Sequence, residues 1–293
     1  FFGLVKAIFL LVALLIFGSE AKGAKRWISL FGFTIQPSEF AKVFFIIFNA
    51  FLLNRLSKEK WQIKYGASTF LFLIIVAFFL LQPDLGMTLT LSAIWAVQLF
   101  VFGLPMPFII VIGVLAVCAI FGAYGFFPHF ADRINRFLND NEANYQVERS
   151  LDAFVNGSLF GTDIGDGVVK NYIPDAHTDF VFAVIAEEFG IVFCVFFLMV
   201  LFYLITRIVK RTLEEEDNFV FLTLCGLIMQ FSLQTIVNIG VSLKMLPTKG
   251  MTLPFVSYGG SSMLASSICL GVILAFSKKK YHKKGNYNNF ILG

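Results

Sequence analysis

Residues 179–211 read DFVFAVIAEEFGIVFCVFFLMVLFYLITRIVKR. From about 179 to 206 the stretch is almost wholly apolar, interrupted only by Glu187 and Glu188, and it ends on Arg207, Lys210 and Arg211. Crossing the hydrocarbon core as a helix takes about 20 apolar residues, and cations gather at the cytoplasmic end of such a span. The stretch therefore predicts a membrane helix that enters at Asp179 and leaves at a basic cluster.

Seven further runs of this kind lie on either side, at about 1–18, 36–54, 65–82, 87–103, 106–125, 219–243 and 260–277. The fourth and fifth runs of the chain are separated only by a tight Gly103-Leu104-Pro105 turn. The expected fold is thus all-α, a polytopic transmembrane bundle of about eight helices with a large loop, about 126–178, before helix six. Residues 1–277 form one membrane domain and residues 278–293 a basic cytoplasmic tail. Composition agrees, since 58% of the 293 residues are hydrophobic and 14% charged. Soluble domains are nearer 45–50% and 25%, so a chain of this size has too little interior to hide its apolar surface.

Orientation follows from the basic residues. Arg55, Lys58, Lys60 and Lys64 follow the second run. Arg207, Lys210 and Arg211 follow the sixth, and Lys278, Lys279, Lys280, Lys283 and Lys284 the eighth. Counting crossings puts all three clusters on one side, the cytoplasm. The loops 19–34, 126–178 and 244–258 and the Gln82-Pro83-Asp84 junction then lie outside. That outer surface also carries Lys22, Lys25, Arg26, Arg133, Arg136 and Arg149, which topology does not ask for and which suits an anionic partner. Within the long loop, Tyr145, Val147, Leu151, Phe154 and Val155 recur near helical spacing, predicting a short amphipathic helix suited to the membrane interface.

The net charge of +4 is too small and dispersed for nucleic acid, so no nucleic-acid partner is expected. Cys118, Cys194, Cys225 and Cys269 sit singly inside apolar runs, and His129, His177 and His282 form no ligand spacing.

Several outer motifs are more specific than composition. They are Arg26-Trp27-Ile28, Gln36-Pro37-Ser38-Glu39-Phe40-Ala41-Lys42, Gln82-Pro83-Asp84-Leu85-Gly86, and Tyr172 through Phe180 followed by Glu187-Glu188. The last runs from Leu246-Pro247-Thr248-Lys249-Gly250 through Leu253-Pro254 to Ser257-Tyr258-Gly259-Gly260-Ser261-Ser262. In this order, over about residues 22–277, they resemble the SEDS family (shape, elongation, division and sporulation) of bacterial cell-wall proteins. The Pro247-Thr248-Lys249-Gly250 stretch is closer to the family's division members than to its elongation members. Three positions depart from the usual pattern: Asp175 where Glu is common, Ala186 where Gly is common, and Ser158 where a second Gly is usual. The family has about ten helices. With Phe1 in first place, the resemblance leads to the expectation that two N-terminal helices are missing.

The resemblance implies a peptidoglycan glycosyltransferase of the cytoplasmic membrane with an extracytoplasmic active face. It would act in division with a class B penicillin-binding protein transpeptidase and other divisome membrane proteins. The implied substrate is lipid II, and the implied reaction joins a sugar 4-hydroxyl to C1 of another sugar with loss of the lipid pyrophosphate. A carboxylate is needed to take the proton or hold a metal, and positive charge or a divalent cation such as Mg or Mn to neutralise the leaving group.

Asp179, at the outer end of helix six, is the expected catalytic carboxylate and the metal ligand if there is one. A helix-end Asp favoured by the macrodipole is the plainer reading. Expected substrate-binding residues are Glu39, Lys42, Asp84, Arg133, Arg136, His177, Glu187 and Lys249. Glu39 and Lys42, three apart on one helix face, also suit a mutual ion pair, Asp84 a helix cap, and Glu187 a structural carboxylate. A lipid II flippase or a non-catalytic division scaffold are the alternatives.

Overall fold

The computed structural model describes residues 2–21, 24–30, 33–126, 128–138, 145–248 and 250–278, with backbone alone for residues 19–21, 24, 25, 30, 33, 128, 129, 133 and 136. The eight apolar runs are helices: α1 (Phe2–Phe17), α2 (Pro37–Arg55), α3 (Trp61–Leu81), α4 (Leu85–Val101), α5 (Met106–Phe126), α8 (Val181–Leu213), α9 (Asn218–Ser242) and α10 (Gly260–Ser277). All but α1 and α4 are long and apolar enough to cross a membrane by length and composition. With α1 at 16 and α4 at 17 residues, about 1.5 Å of rise each gives them slightly less than the hydrocarbon thickness.

The long loop contains two more helices, α6 (Pro128–Leu138) and α7 (Tyr145–Gly157), and a 3-10 turn at Val169–Tyr172. The first outer loop carries a three-stranded antiparallel sheet of β1 (Ser19–Ala21), β2 (Ala24–Leu30) and β3 (Phe33–Ile35). Pairing satisfies backbone groups that a bare loop would leave to water.

The main core lies where α2, α4 and α9 meet, with α1, α3 and α10 around them. Phe45, Ile46, Phe79, Leu91, Ile94 and Leu227 are fully buried there. A hydrogen-bonded group sits inside it: the Asn49 amide donates to Gln98 Oε1 (3.0 Å), the Ser68 hydroxyl to Asn49 Oδ1 (2.7 Å) and the Trp95 indole to Ser68 Oγ (3.0 Å). Gln98 then donates to the Ile46 and Leu222 carbonyls. A second apolar cluster, at the long-loop face, joins α7, the 173–180 turn and α8. By contrast α5 buries no residue and touches chiefly α4 and α6.

Two features of the long loop differ from expectation. The buried face of α7 is Val147, Ser150, Ala153 and Gly157, while Tyr145 and Val155 are exposed. The helix packs on α8 through small residues rather than lying on a membrane through large ones. And α8 is not continuous, for Gly190 has φ 79°, ψ 172°, a region essentially confined to glycine. The loop fills this break. The Ile191 and Val192 amides donate to the carbonyls of Ser158 and Leu159, and Thr162 donates from its amide and hydroxyl to the Glu187 carbonyl. Non-helical backbone within an apolar layer is tolerated where protein satisfies it. Ser158, standing where the family usually has Gly, has φ +49°, the left-handed region that glycine enters without steric cost.

Candidate functional site

The motifs scattered along the sequence gather at the long-loop face. The Gln36 amide, just before α2, donates to Ser261 Oγ of α10 at 2.9 Å, and the Ser261 hydroxyl donates to the Thr34 carbonyl at 3.2 Å. The last outer loop is laced to the turn ahead of α8. The Tyr258 amide donates to the His177 carbonyl, and the Ser257 hydroxyl donates to the Thr178 carbonyl and accepts from the Leu253 amide.

Asp179 is half-buried in that turn, not in the helix. Its amide donates to the Asp175 carbonyl at 3.0 Å, and α8 starts two residues later with Phe180 as its N-cap residue. The expectation that Asp179 opens the helix is corrected accordingly, and the N-cap position that would give it a capping task belongs to Phe180. The carboxylate lies in a small cleft whose other walls include Gln146 of α7, Asn238 of α9, and Thr248, Gly250 and Met251 of the last outer loop. Gly250 has φ +63°, and a β-carbon there would stand 3.1 Å from Asp179 Oδ2.

The amide of Asn238 holds this arrangement, donating to the Asp179 carbonyl (2.9 Å) and the Met251 carbonyl (2.6 Å). Sequence reasoning missed Asn238, although a signal existed. Gln230, Gln234 and Asn238 recur every four residues along an apolar helix and so form one polar stripe.

That stripe leads to the α2 pair. Lys42 Nζ is 3.0 Å from Glu39 Oε2, both side chains are buried, and Gln234 donates to the same oxygen at 3.2 Å. The two expected ligands thus form an ion pair inside the bundle. Asp84 caps α4, its Oδ1 accepting from the Met87 amide at 3.1 Å, while Oδ2 lies 3.8 Å from Arg26 Nε. Arg26 also donates to the Pro83 carbonyl, which links β2 to the Gln82-Pro83-Asp84 junction.

Glu187 is fully buried and is not part of the lining of Asp179's cleft. Oε1 accepts from the Asn156 amide group and the Val169 amide, and Oε2 from the Lys170 amide, each at 2.8 Å. A carboxylate receiving three donors is a clasp for the loop, and Lys170 closes it with an ion pair to Glu188. His177 has its side chain at the surface. Arg133 and Arg136 lie on α6, where their side chains are outside the description, and Lys249 lies outside the described residues.

Among the described residues no three His, Cys, Asp or Glu side chains gather as a metal site.

Residues 1–282 match the cell cycle protein family FtsW/RodA/SpoVE. The probable peptidoglycan glycosyltransferase FtsW of Caulobacter vibrioides is 36% identical over 294 residues, an alignment covering all of this chain and 75% of that protein. Among solved structures, a chain of a peptidoglycan synthase complex that coordinates polymerization and crosslinking superposes with TM-score 0.78 at 30% identity, over 95% of this chain and 80% of that one. The rod shape determining protein RodA of Thermus thermophilus superposes with TM-score 0.67 at 30% identity, over 94% and 77%.

Proposed function

Because the chain belongs to the FtsW/RodA/SpoVE family of cell cycle proteins, we propose that this multi-pass membrane protein is an FtsW-type peptidoglycan glycosyltransferase that polymerises lipid II. It does so at the outer face of the bacterial cytoplasmic membrane during division, paired with a class B transpeptidase that crosslinks the product. The observation that carries the reading is Asp179. This carboxylate stands at the long-loop face in a cleft walled also by α7, α9 and the last outer loop, and its turn is fixed by Asn238.

In the reaction the 4-hydroxyl of one sugar attacks C1 of another. The new C1–O bond forms as the bond from C1 to the pyrophosphate breaks. The hydroxyl proton passes to Asp179, and the electron pair leaves on the pyrophosphate oxygen. General-base assistance of this kind contributes about 10²–10⁴-fold. Arg133, Arg136, His177 and Lys249, all on outer loops, supply positive or hydrogen-bonding groups for the pyrophosphate and sugar. A divalent cation, held by Asp179 and substrate oxygens, would supply further neutralisation of the leaving charge. The buried sites of Glu39, Lys42, Asp84 and Glu187 suit shaping this face more than touching substrate.

The test is polymerisation of labelled lipid II by the complete protein with its transpeptidase, comparing wild type and Asp179→Asn at equal expression. Loss of glycan chains from an assembled Asn complex supports the assignment. Full activity in the variant removes Asp179 from the chemistry.

A further inference from the structure

Among the described residues, three of the large apolar grooves along the helices differ in charge, and one of these three is charged at its end. The groove among α3, α4 and α5 and the groove between α8 and α9 are lined by uncharged residues. The third lies between the second half of α8 and α10, with α9 as its floor. It opens beneath Phe255 at the long-loop face, passes Leu201, Ile205, Leu270 and Leu274, and ends at the opposite face among Arg207, Lys210, Arg211, Glu214 and Lys278. It is also the most capacious of the three, with a cavity volume of about 940 Å³ against about 520 and 650 Å³.

The charges at that end are not balanced within the groove. Arg211 is engaged, donating through Nε to the Ser277 carbonyl and through Nη1 to Glu214. That uses the one carboxylate of the lining. Asp217 is turned to the start of α9, where it accepts from the Phe219 and Val220 amides. Arg207, Lys210 and Lys278 remain exposed, with no ion pair among the described residues. Alternating topology needs cations on this face, but it does not need them to converge on the mouth of an apolar channel. Basic pockets between helices at a cytoplasmic surface suit anionic lipid headgroups, each Lys or Arg adding attraction.

We infer that this groove is a binding site for an anionic phospholipid of the cytoplasmic leaflet, with acyl chain along Leu201, Ile205, Leu270 and Leu274 and phosphate between Arg207, Lys210 and Lys278. The dimensions agree. The 18 residues of α10 span about 27 Å at 1.5 Å per residue, nearly the full hydrocarbon layer, so the inner half accommodates one acyl chain. The site is on the opposite face from Asp179 and is independent of the glycosyltransferase reading.

The experiment is native mass spectrometry of the complete protein released from micelles containing phosphatidylglycerol or phosphatidylcholine of identical acyl chains. The inference expects phosphatidylglycerol to be retained one per protein at concentrations where phosphatidylcholine is not. Arg207→Gln with Lys210→Gln should weaken retention by roughly ten- to thirtyfold. Leu274→Trp, which fills the channel and leaves the cations, should weaken retention as well and provides an independent arm if the double variant is poorly folded. Lys58→Gln with Lys60→Gln, on the same face but away from the groove, should leave retention unchanged. Equal retention of the two lipids, indifference to both groove variants, or an equal loss in the Lys58 and Lys60 variant would overturn the site.

Discussion

A single side-chain amide on α9 holds the turn that presents the candidate carboxylate: Asn238 Nδ2 donates to the Asp179 carbonyl at 2.9 Å and to the Met251 carbonyl at 2.6 Å. Asn238 is 1% exposed, so water cannot readily replace it. Asn238→Ala leaves two carbonyls without this donor, and Asn238→Asp sets a carboxylate against them. Leaving a buried polar group unsatisfied costs about 1–3 kcal/mol. Both variants should lower the unfolding midpoint of the detergent-purified protein and also slow polymerisation, because the Asp179 turn and the last outer loop are no longer held together. An unchanged midpoint and rate would show that the amide does not position the turn.

Glu187 and Asp179 are both carboxylates near the start of α8, yet substitution should separate them. Glu187→Gln retains size but places an NH₂ group where the Asn156, Val169 and Lys170 donors converge. The expected result is a loss of about 2–3 kcal/mol, in the range for hydrogen bonds to charged groups, and faster hydrogen exchange at the Val169 and Lys170 amides. Asp179→Asn should leave stability and exchange close to wild type while abolishing polymerisation. If the two variants behave alike, the division between loop clasp and reacting carboxylate is wrong.

The eight apolar helices were legible because a membrane helix announces itself by length and hydropathy, and the basic clusters at Arg55, Arg207 and Lys278 fixed a consistent parity. Motif order disclosed the family. What stayed hidden was signalled by small or isolated residues. Ser150, Ala153 and Gly157 make the buried face of α7, but such side chains carry no hydrophobic period, and the larger Val155 misled by being exposed. Gly190 reads as a tolerated interruption costing about 1 kcal/mol, whereas it breaks α8. The sheet over 19–35 had weaker warning, a glycine in each interval between strands. For the site, Asp179 was visible as an acid at a helix end, while its companions Gln146, Thr248 and Gly250 are brought near it only by tertiary structure.

The α8 break should be intolerant of a side chain. A β-carbon at Gly190 would lie 2.4 Å from the Leu159 carbonyl oxygen, and one at Gly161 would lie 2.1 Å from that of Glu188. Backbone atoms cannot swing aside as a side chain can, and φ near +79° is itself strained for alanine. Gly190→Ala should therefore unseat residues 158–162 from α8, seen as new protease cleavage within that segment. Gly113→Ala on α5, where a β-carbon meets nothing within 4 Å, should be neutral in the same assay.

The Glu39–Lys42 pair permits a test that separates stability from substrate contact. Lys42 is fully buried and its Nζ is 3.0 Å from Glu39 Oε2. Lys42→Met strips Glu39 of its cation and leaves it, among the described residues, only the Gln234 amide, and breaking a buried pair in this way costs about 3–5 kcal/mol. Removing both charges, as Glu39→Gln with Lys42→Met, takes away the stranded carboxylate and should restore most of the unfolding midpoint. Since neither charge reaches the surface, the double variant should also polymerise lipid II at a substantial fraction of the wild-type rate. A double variant that is as stable as wild type but forms no glycan would instead put Lys42 in contact with the pyrophosphate, which requires the bundle to open between α2 and α9 when substrate binds.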